Sequence, residues 1–405
     1  PDARGTGASG GLVGVRGRCF PGDSCGSPMN DLKPSEPPEP PEGFDGRLAR
    51  VLEGSHLPGL DGLRALAVIL VMMLHTRLFA GHGGVIVFYV LSGFLITWVL
   101  LREEARWGAI SVRTFWIRRA LRIFPVFYVF WLVHLAFVDT TFQWVPEGQR
   151  WSAFIYLSDY YQAITGEDRG AMTHTWSLGI EEKFYFLWPL CFRALRTAGR
   201  RALALGILIG VVQVVRAWIT LGLDDPQYAY YAFETRMDQL AIGCLIAVTL
   251  RARMGIGLWR LLCGGPWRSL VPLLAIFGVA VACMSRDHSL RVLYSFPVQA
   301  AASGWLVVHM ILWSGRGPLA WLSTRPLQAL GRISYSVYLW QMVGIELVTT
   351  LWPTASSGVA MLLAWPTVIA IATLSYVAIE RPCLHYKRRF QRVAATEDSR
   401  PRDAL

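Results

Sequence analysis

The sequence is short of charge. Only 17% of its 405 residues are Asp, Glu, Lys or Arg, while 53% are hydrophobic. A water-soluble domain carries about 25% charged residues, so an ordinary soluble enzyme is excluded and a lipid-embedded chain is favoured. Lysine is nearly missing: Lys33, Lys183 and Lys387 are the only three. The net charge of +11 therefore comes from arginine. Those arginines fall between apolar runs and not along one face, which argues against nucleic acid as a partner. The seven cysteines include no CxxC pair and no metal-ligand spacing. No disulfide framework and no metal site is expected.

Long apolar runs are what the chain does have. A membrane helix needs ~20 apolar residues, and ten stretches qualify as candidates: 62–79, 84–101, 119–138, 176–195, 202–222, 236–252, 269–285, 295–314, 333–352 and 357–379. Arginine alternates between the connecting loops. Arg102, Arg106, Arg113 and Arg118 follow the second run, and Arg196, Arg200 and Arg201 follow the fourth. Arg253, Arg260 and Arg268 follow the sixth, Arg316 and Arg325 the eighth, and HYKRRFQR the last. By the positive-inside rule this places both termini in the cytoplasm. The predicted fold class is all-α: a polytopic membrane protein of about ten transmembrane helices. Residues 1–50 are rich in Gly, Pro and Ser and read as a disordered segment. MNDLKPSEPP reads as an ordinary start at Met29, so residues 1–28 are set aside as upstream sequence. The membrane domain is expected over 57–385, with a basic tail at 386–405.

Ionisable groups inside such runs are costly and usually functional. The first run, RALAVILVMMLH, has Arg64 and His75 at its ends, ~16 Å apart on a helix. The fourth, LGIEEKFYFLWPL, holds Glu181, Glu182 and Lys183 in succession. On this topology His75 and the glutamates share a depth, and one carboxylate is expected to orient the imidazole as a general base. Lys183 is a second partner for either acid. FYVLSGFL supplies Ser92, Gly93 and Phe94, where close helix packing competes with a chemical role. RRALRIFP offers Arg118, Arg119 and Arg122 as topological charge or as a phosphate clamp. ETRMDQLAIG places Arg236 and Asp238 at a helix start, as an ion pair or an acceptor site. GRISYSVYLWQ carries Tyr335, Tyr338 and Gln341 at helical spacing. One pattern is set aside: His56 to Asp61 has the H-x4-D spacing of glycerolipid acyltransferases, but its partner block VPEG at 145–148 falls on the other side of the membrane.

The ordered set of LPGLDGLRALAVILVMMLH, FYVLSGFLI, RRALRIFP, THTWSLGIEEKFYFLWP, TRMDQLAIG, GRISYSVYLWQ and ERP resembles the acyltransferase family 3 over residues 57–385. The resemblance implies an integral membrane O-acyltransferase that moves acyl groups, often acetyl, from cytoplasmic acyl-CoA to carbohydrate hydroxyls. Its acceptors include surface glycans, lipopolysaccharide, peptidoglycan and macrolides. The family's R-x10-H falls on Arg64 and His75, its Ser-Gly-Phe on Ser92 to Phe94, its arginine cluster on Arg118 and Arg122, and its Glu-Glu pair on Glu181 and Glu182. Many relatives carry His where this chain has Gln341. The implied catalytic set is His75, Glu181 and Glu182. Arg64, Arg118, Arg122 and Ser92 are assigned to acyl-CoA, and Arg236, Asp238 and Tyr335 to the acceptor. Acyl-CoA is a co-substrate, and no metal is implied. The expected partners are acyl-CoA, a carbohydrate or glycosylated acceptor and the bilayer, with self-association left open. The expected location is the inner (plasma) membrane. The competing reading is a transporter or flippase with a His/Glu proton relay; it requires inverted repeats with broken helices, and no internal repeat is evident.

Overall fold

In the computed structural model the described residues are 43–54, 57, 59–76, 83–138, 145–167, 170–282, 288–353 and 357–387. Among them the structure is helical, with no strand. Helices follow where apolar runs leave backbone groups no partner but one another. The elements used below are α1 (Phe44–Glu53), α2 (Leu60–His75), α3 (Gly83–Trp107), α4 (Val112–Val133), α5 (Glu147–Phe154), α6 (Ser158–Thr165), α7 (Trp176–Ala194), α8 (Ala198–Ala217), α9 (Pro226–Tyr231), α10 (Met237–Arg251), α11 (Ile256–Cys263), α12 (Leu270–Ala282), α13 (Phe296–Trp313), α14 (Arg325–Arg332), α15 (Ser334–Leu351), α16 (Ser357–Ser375) and α17 (Arg381–Lys387). Local signals set several starts. The Ser111 hydroxyl accepts from the Thr114 amide at 3.3 Å and caps α4, and Thr197 caps α8 in the same way.

All ten predicted stretches contain helix. Five helices are long and apolar enough to cross a bilayer by themselves, or six if the bent pair α10–α11, which turns through 106°, counts as one span. The others fall short for identifiable reasons. α2 has 16 residues, and α7 carries Glu181, Glu182, Lys183 and Arg193. The segment expected to be irregular up to residue 50 turns helical at Phe44. That helix buries Phe44, Leu48 and Val51 on one face, which a 3–4 residue spacing in the sequence would have shown. Residues 1–42, His56 and the tail from 388 lie outside the described residues.

The core is built around α3. Its apolar window is 78% buried, against 22% for the span containing α8. On the span that α8 opens, Leu203, Ile207, Val211, Val214 and Trp218 are exposed, one stripe of a helix facing lipid. α3 and α10 cross at close range because each offers a glycine. A Cβ on Gly93 would strike the Leu240 backbone, and one on Gly243 would strike the Val90 carbonyl. The packing reading of Ser-Gly therefore holds for Gly93, which leaves Ser92 on a different side of the helix.

Candidate active site

α2, α3, α4, α7 and α15 line a cavity with about 740 Å³ of empty space, part of it open to solvent. Six predicted residues line it: Arg64, Ser92, Arg122, Glu181, Glu182 and Tyr335. Glu181 is held on both oxygens. Ser92 Oγ donates to Oε1 at 3.1 Å, and the Tyr185 hydroxyl donates to Oε2 at 2.9 Å. Glu182, one residue on and ~100° around the helix, lines the same cavity with no hydrogen bond among the described residues. Lys183 faces away from both. Its ammonium donates to Asp159 at 2.6 Å and to the Tyr156 carbonyl at 2.9 Å, tying α7 to the α5–α6 segment. The three consecutive charges thus divide between the cavity and the scaffold.

The arginines divide too. Arg118 donates to Glu103 at 2.7 Å and lines an adjoining cavity instead. Arg119, offered with Arg118 and Arg122 as topological charge or phosphate clamp but not carried into the acyl-CoA set, lines the main cavity and stacks 4.2 Å over the Tyr185 ring. The signal was available: residues 119 and 122 are three apart and share a helix face. Arg119 and Arg122 form no ion pair among the described residues, whereas Arg64 meets Asp61 at 3.1 Å. Tyr335 donates to the Ile123 carbonyl at 3.1 Å, bridging α15 to α4.

His75 is not in this cavity. Its Nδ1 faces the Val71 carbonyl at 3.0 Å, its ring lies beside Gln341, and His174 is nearby. The predicted pairing with Glu181 or Glu182 is absent. The depth estimate failed because it treated two antiparallel helices as level. His174, the α7-side neighbour of His75, precedes Glu181 by seven residues, so the glutamates sit ~10 Å further along the helix. The partner that fixes the imidazole is instead a peptide carbonyl. A carbonyl only accepts, so in the neutral ring Nδ1 carries the proton and Nε2 is the basic nitrogen, with the Gln341 side chain beside the ring.

Two hydroxyls stand between the histidine layer and the cavity. Tyr338 donates to the His174 carbonyl at 2.8 Å and shares a hydrogen bond with Ser177 Oγ; both residues line the cavity. Along the bundle the order is thus arginines, then Ser92 and the glutamates, then the Tyr338–Ser177 pair, then His75 with Gln341.

Arg236 and Asp238 do not line the cavity and do not pair with each other. Asp238 accepts from Arg216 and, at 2.8 Å, from Gln213, with both ions of the Arg216–Asp238 pair fully buried. Arg236 is buried against aromatic rings, with its guanidinium 3.8 Å from Phe296, 5.2 Å from Tyr230 and 5.3 Å from Trp176. A local i, i+2 reading missed Arg216, which comes from α8. Among the described residues no cluster could hold a metal ion, and Cys191, Cys244, Cys263 and Cys383 are free.

The family model described as an acyltransferase domain matches residues 57–381. Among curated proteins, the peptidoglycan O-acetyltransferase OatA of Listeria monocytogenes is 29% identical over 81% of this chain and 56% of its own length. The putative peptidoglycan O-acetyltransferase YrhL of Bacillus subtilis is 30% identical over 81% and 55%. The O-acetyltransferase OatA of Staphylococcus aureus is 28% identical over 83% and 58%. The chain thus spans little more than half the length of these relatives. No solved structure matches it. With the family match running over most of its residues and Arg122 of the arginine cluster, Ser92 of the Ser-Gly-Phe motif and the Glu-Glu pair gathered around one cavity, the chain belongs to the acyltransferase family 3.

Proposed function

We propose that the protein is an integral membrane O-acyltransferase. It transfers an acyl group, acetyl in the first instance, from acyl-CoA to a carbohydrate hydroxyl. The observation that carries this reading is the cavity in which Arg64, Arg119 and Arg122 face Ser92, Glu181 and Glu182. Guanidinium groups match phosphate and carbonyl oxygens, and the bundle excludes the water that would hydrolyse a thioester. The membrane carries about ten spans with both termini cytoplasmic, on the strength of the loop arginines, so the arginine end of the cavity opens to the cytoplasmic donor.

The acceptor approaches from the histidine side. Nε2 of His75 takes the proton of the acceptor hydroxyl, whose oxygen attacks the thioester carbonyl carbon. The carbon–sulfur bond breaks, and the CoA thiolate leaves with a proton returned through the imidazolium. Arg119 and Arg122 sit where carbonyl oxygen charge would be neutralised. Glu181 fixes Ser92 and Tyr185. The names of the relatives favour a peptidoglycan-type sugar as acceptor. The family match speaks against the transporter alternative. A second base is favoured by one observation: Glu182 lines the cavity itself without a hydrogen-bond partner.

The test is thiol release from acetyl-CoA by purified protein, with peptidoglycan fragments as acceptor. Wild type should release thiol in proportion to acetylated product. His75→Ala and Glu182→Gln separate the two bases: the true base drops turnover by about 10²–10⁴-fold. No acceptor-dependent thiol release with any sugar acceptor would sink the function.

A further inference from the structure

A larger cavity, with about 1200 Å³ of empty space, opens at the arginine end of the bundle between α1 and the last turns of α3. The transfer mechanism above makes no use of it. Arg102, Arg106, Arg118 and Arg251 line it, with Trp107 and the acids Glu53 and Glu103. Glu103 is already satisfied, accepting from Arg118 at 2.7 Å and from the Ser111 amide at 2.8 Å. The surplus is cationic. Trp107 is 43% exposed, and the Arg106 guanidinium lies 5.3 Å from its ring, so a flat apolar face stands beside positive charge.

This vestibule adjoins the transfer cavity by way of a middle chamber. That chamber shares Arg64, Leu95, Arg119 and Arg122 with the transfer cavity, and Val99 and Arg118 with the vestibule. From Ser92 to Arg106 the path runs fourteen residues along α3, ~21 Å. A ligand that fills it is long and narrow, with a polyanionic head that ends in a planar ring. The inner wall of the vestibule is α1, held by Arg251 donating to the Leu52 carbonyl at 3.0 Å and by Arg260 meeting Asp45 at 2.9 Å.

The geometry points to the vestibule as the subsite for the phosphorylated nucleotide end of the acyl donor, with Arg106 and Arg251 on its phosphates and Trp107 against its base. This rests on the acyl-CoA reading of the transfer cavity. It leaves Arg64, Arg119 and Arg122 to the thioester arm.

The test is competition against radiolabelled acetyl-CoA bound to the full chain in nanodiscs of neutral lipid. For the wild type, CoA should displace the label at least about 10-fold better than pantetheine, which lacks the nucleotide, since a charged hydrogen bond is worth that much or more. Arg106→Glu, an exposed position outside any ion pair, should remove most of that advantage, and Arg251→Gln part of it, while displacement by pantetheine changes little. An advantage that persists in Arg106→Glu overturns the subsite. So does a wild-type advantage that vanishes when phosphatidylglycerol replaces the neutral lipid, because the vestibule then holds lipid headgroups. A wild type that binds no acetyl-CoA at all overturns the donor reading beneath it, a different result from either.

Discussion

Two regions of this bundle carry buried charge, and they treat it in opposite ways. At the α8–α10 junction the Arg216–Asp238 pair is saturated, whereas Nε and Nη1 of the neighbouring Arg236 have only aromatic rings beside them among the described residues. Asp238 is gripped by Arg216 and Gln213, and Arg216 also donates to the Thr235 carbonyl at 2.8 Å. In the cavity between α3, α4, α7 and α15, Arg119, Arg122 and Glu182 face empty space without ion pairs among the described residues. An unpaired charge in a low-dielectric interior is costly and usually marks a place where something is meant to meet it; Arg236, packed among aromatic rings, is the exception. The contrast sorts intramembrane charge into scaffold and site by how completely each group is bonded, something residue type cannot do. Lys183 belongs to the first class and Glu182 to the second, although they are neighbours in sequence.

The sharpest way to break this comparison is to exchange the fates of the two regions. Asp238→Ala strands Arg216 and should destabilise the fold by about 3–5 kcal/mol, read as a fall in melting temperature in detergent. If Asp238→Ala protein melts normally, saturation is not what holds that junction. Removing a site group should do the reverse. His75→Ala should lose about 10²-fold or more in acceptor-dependent turnover with an unchanged melt. A full-rate His75→Ala enzyme returns the base to Glu182. A smaller effect is expected from Arg119→Ala, which should raise the KM for acetyl-CoA about 10-fold through loss of one charge-assisted contact. An unaltered KM would make Arg119 a mere packing partner for Tyr185. The smallest change comes from the hydroxyl partition. Ser177→Ala removes one of the two bonds Tyr338 makes and should raise acceptor-independent thioester hydrolysis relative to transfer by about 2- to 5-fold, the worth of one neutral hydrogen bond. A constant ratio would show that the partition does not keep water from the thioester.

Much of the site was legible because its residues lie in local motifs. Arg64, Ser92, Arg122, Glu181, Glu182 and Tyr335 converge on one cavity, although the depth estimate had set the glutamates level with His75 and away from Arg64. What the sequence left hidden were contacts between helices distant in the chain. Arg216 reaches Asp238 across 22 residues, Asp159 reaches Lys183 across 24, and Glu104 meets Arg201 at 2.6 Å across 97. The first two took a charge that local spacing had offered to a neighbour, and the third joined two residues that the sequence did not connect. His75 was misplaced for a related reason: rise per residue fixes position along one helix but not the offset between two.

The sequence by itself determined that this is a helical membrane chain, which groups are costly to bury and on which helix each resides. Hydropathy and the 1.5 Å rise act within a segment and need no partner. Only the tertiary structure decided which charges neutralise one another, and it set the imidazole beside a peptide carbonyl and Gln341 while leaving the glutamates facing the arginines. The reason is physical: lipid drives each run into a helix but is indifferent to how helices are rotated and staggered, so that choice falls to close backbone contacts such as Gly93 on Leu240 and to buried ion pairs.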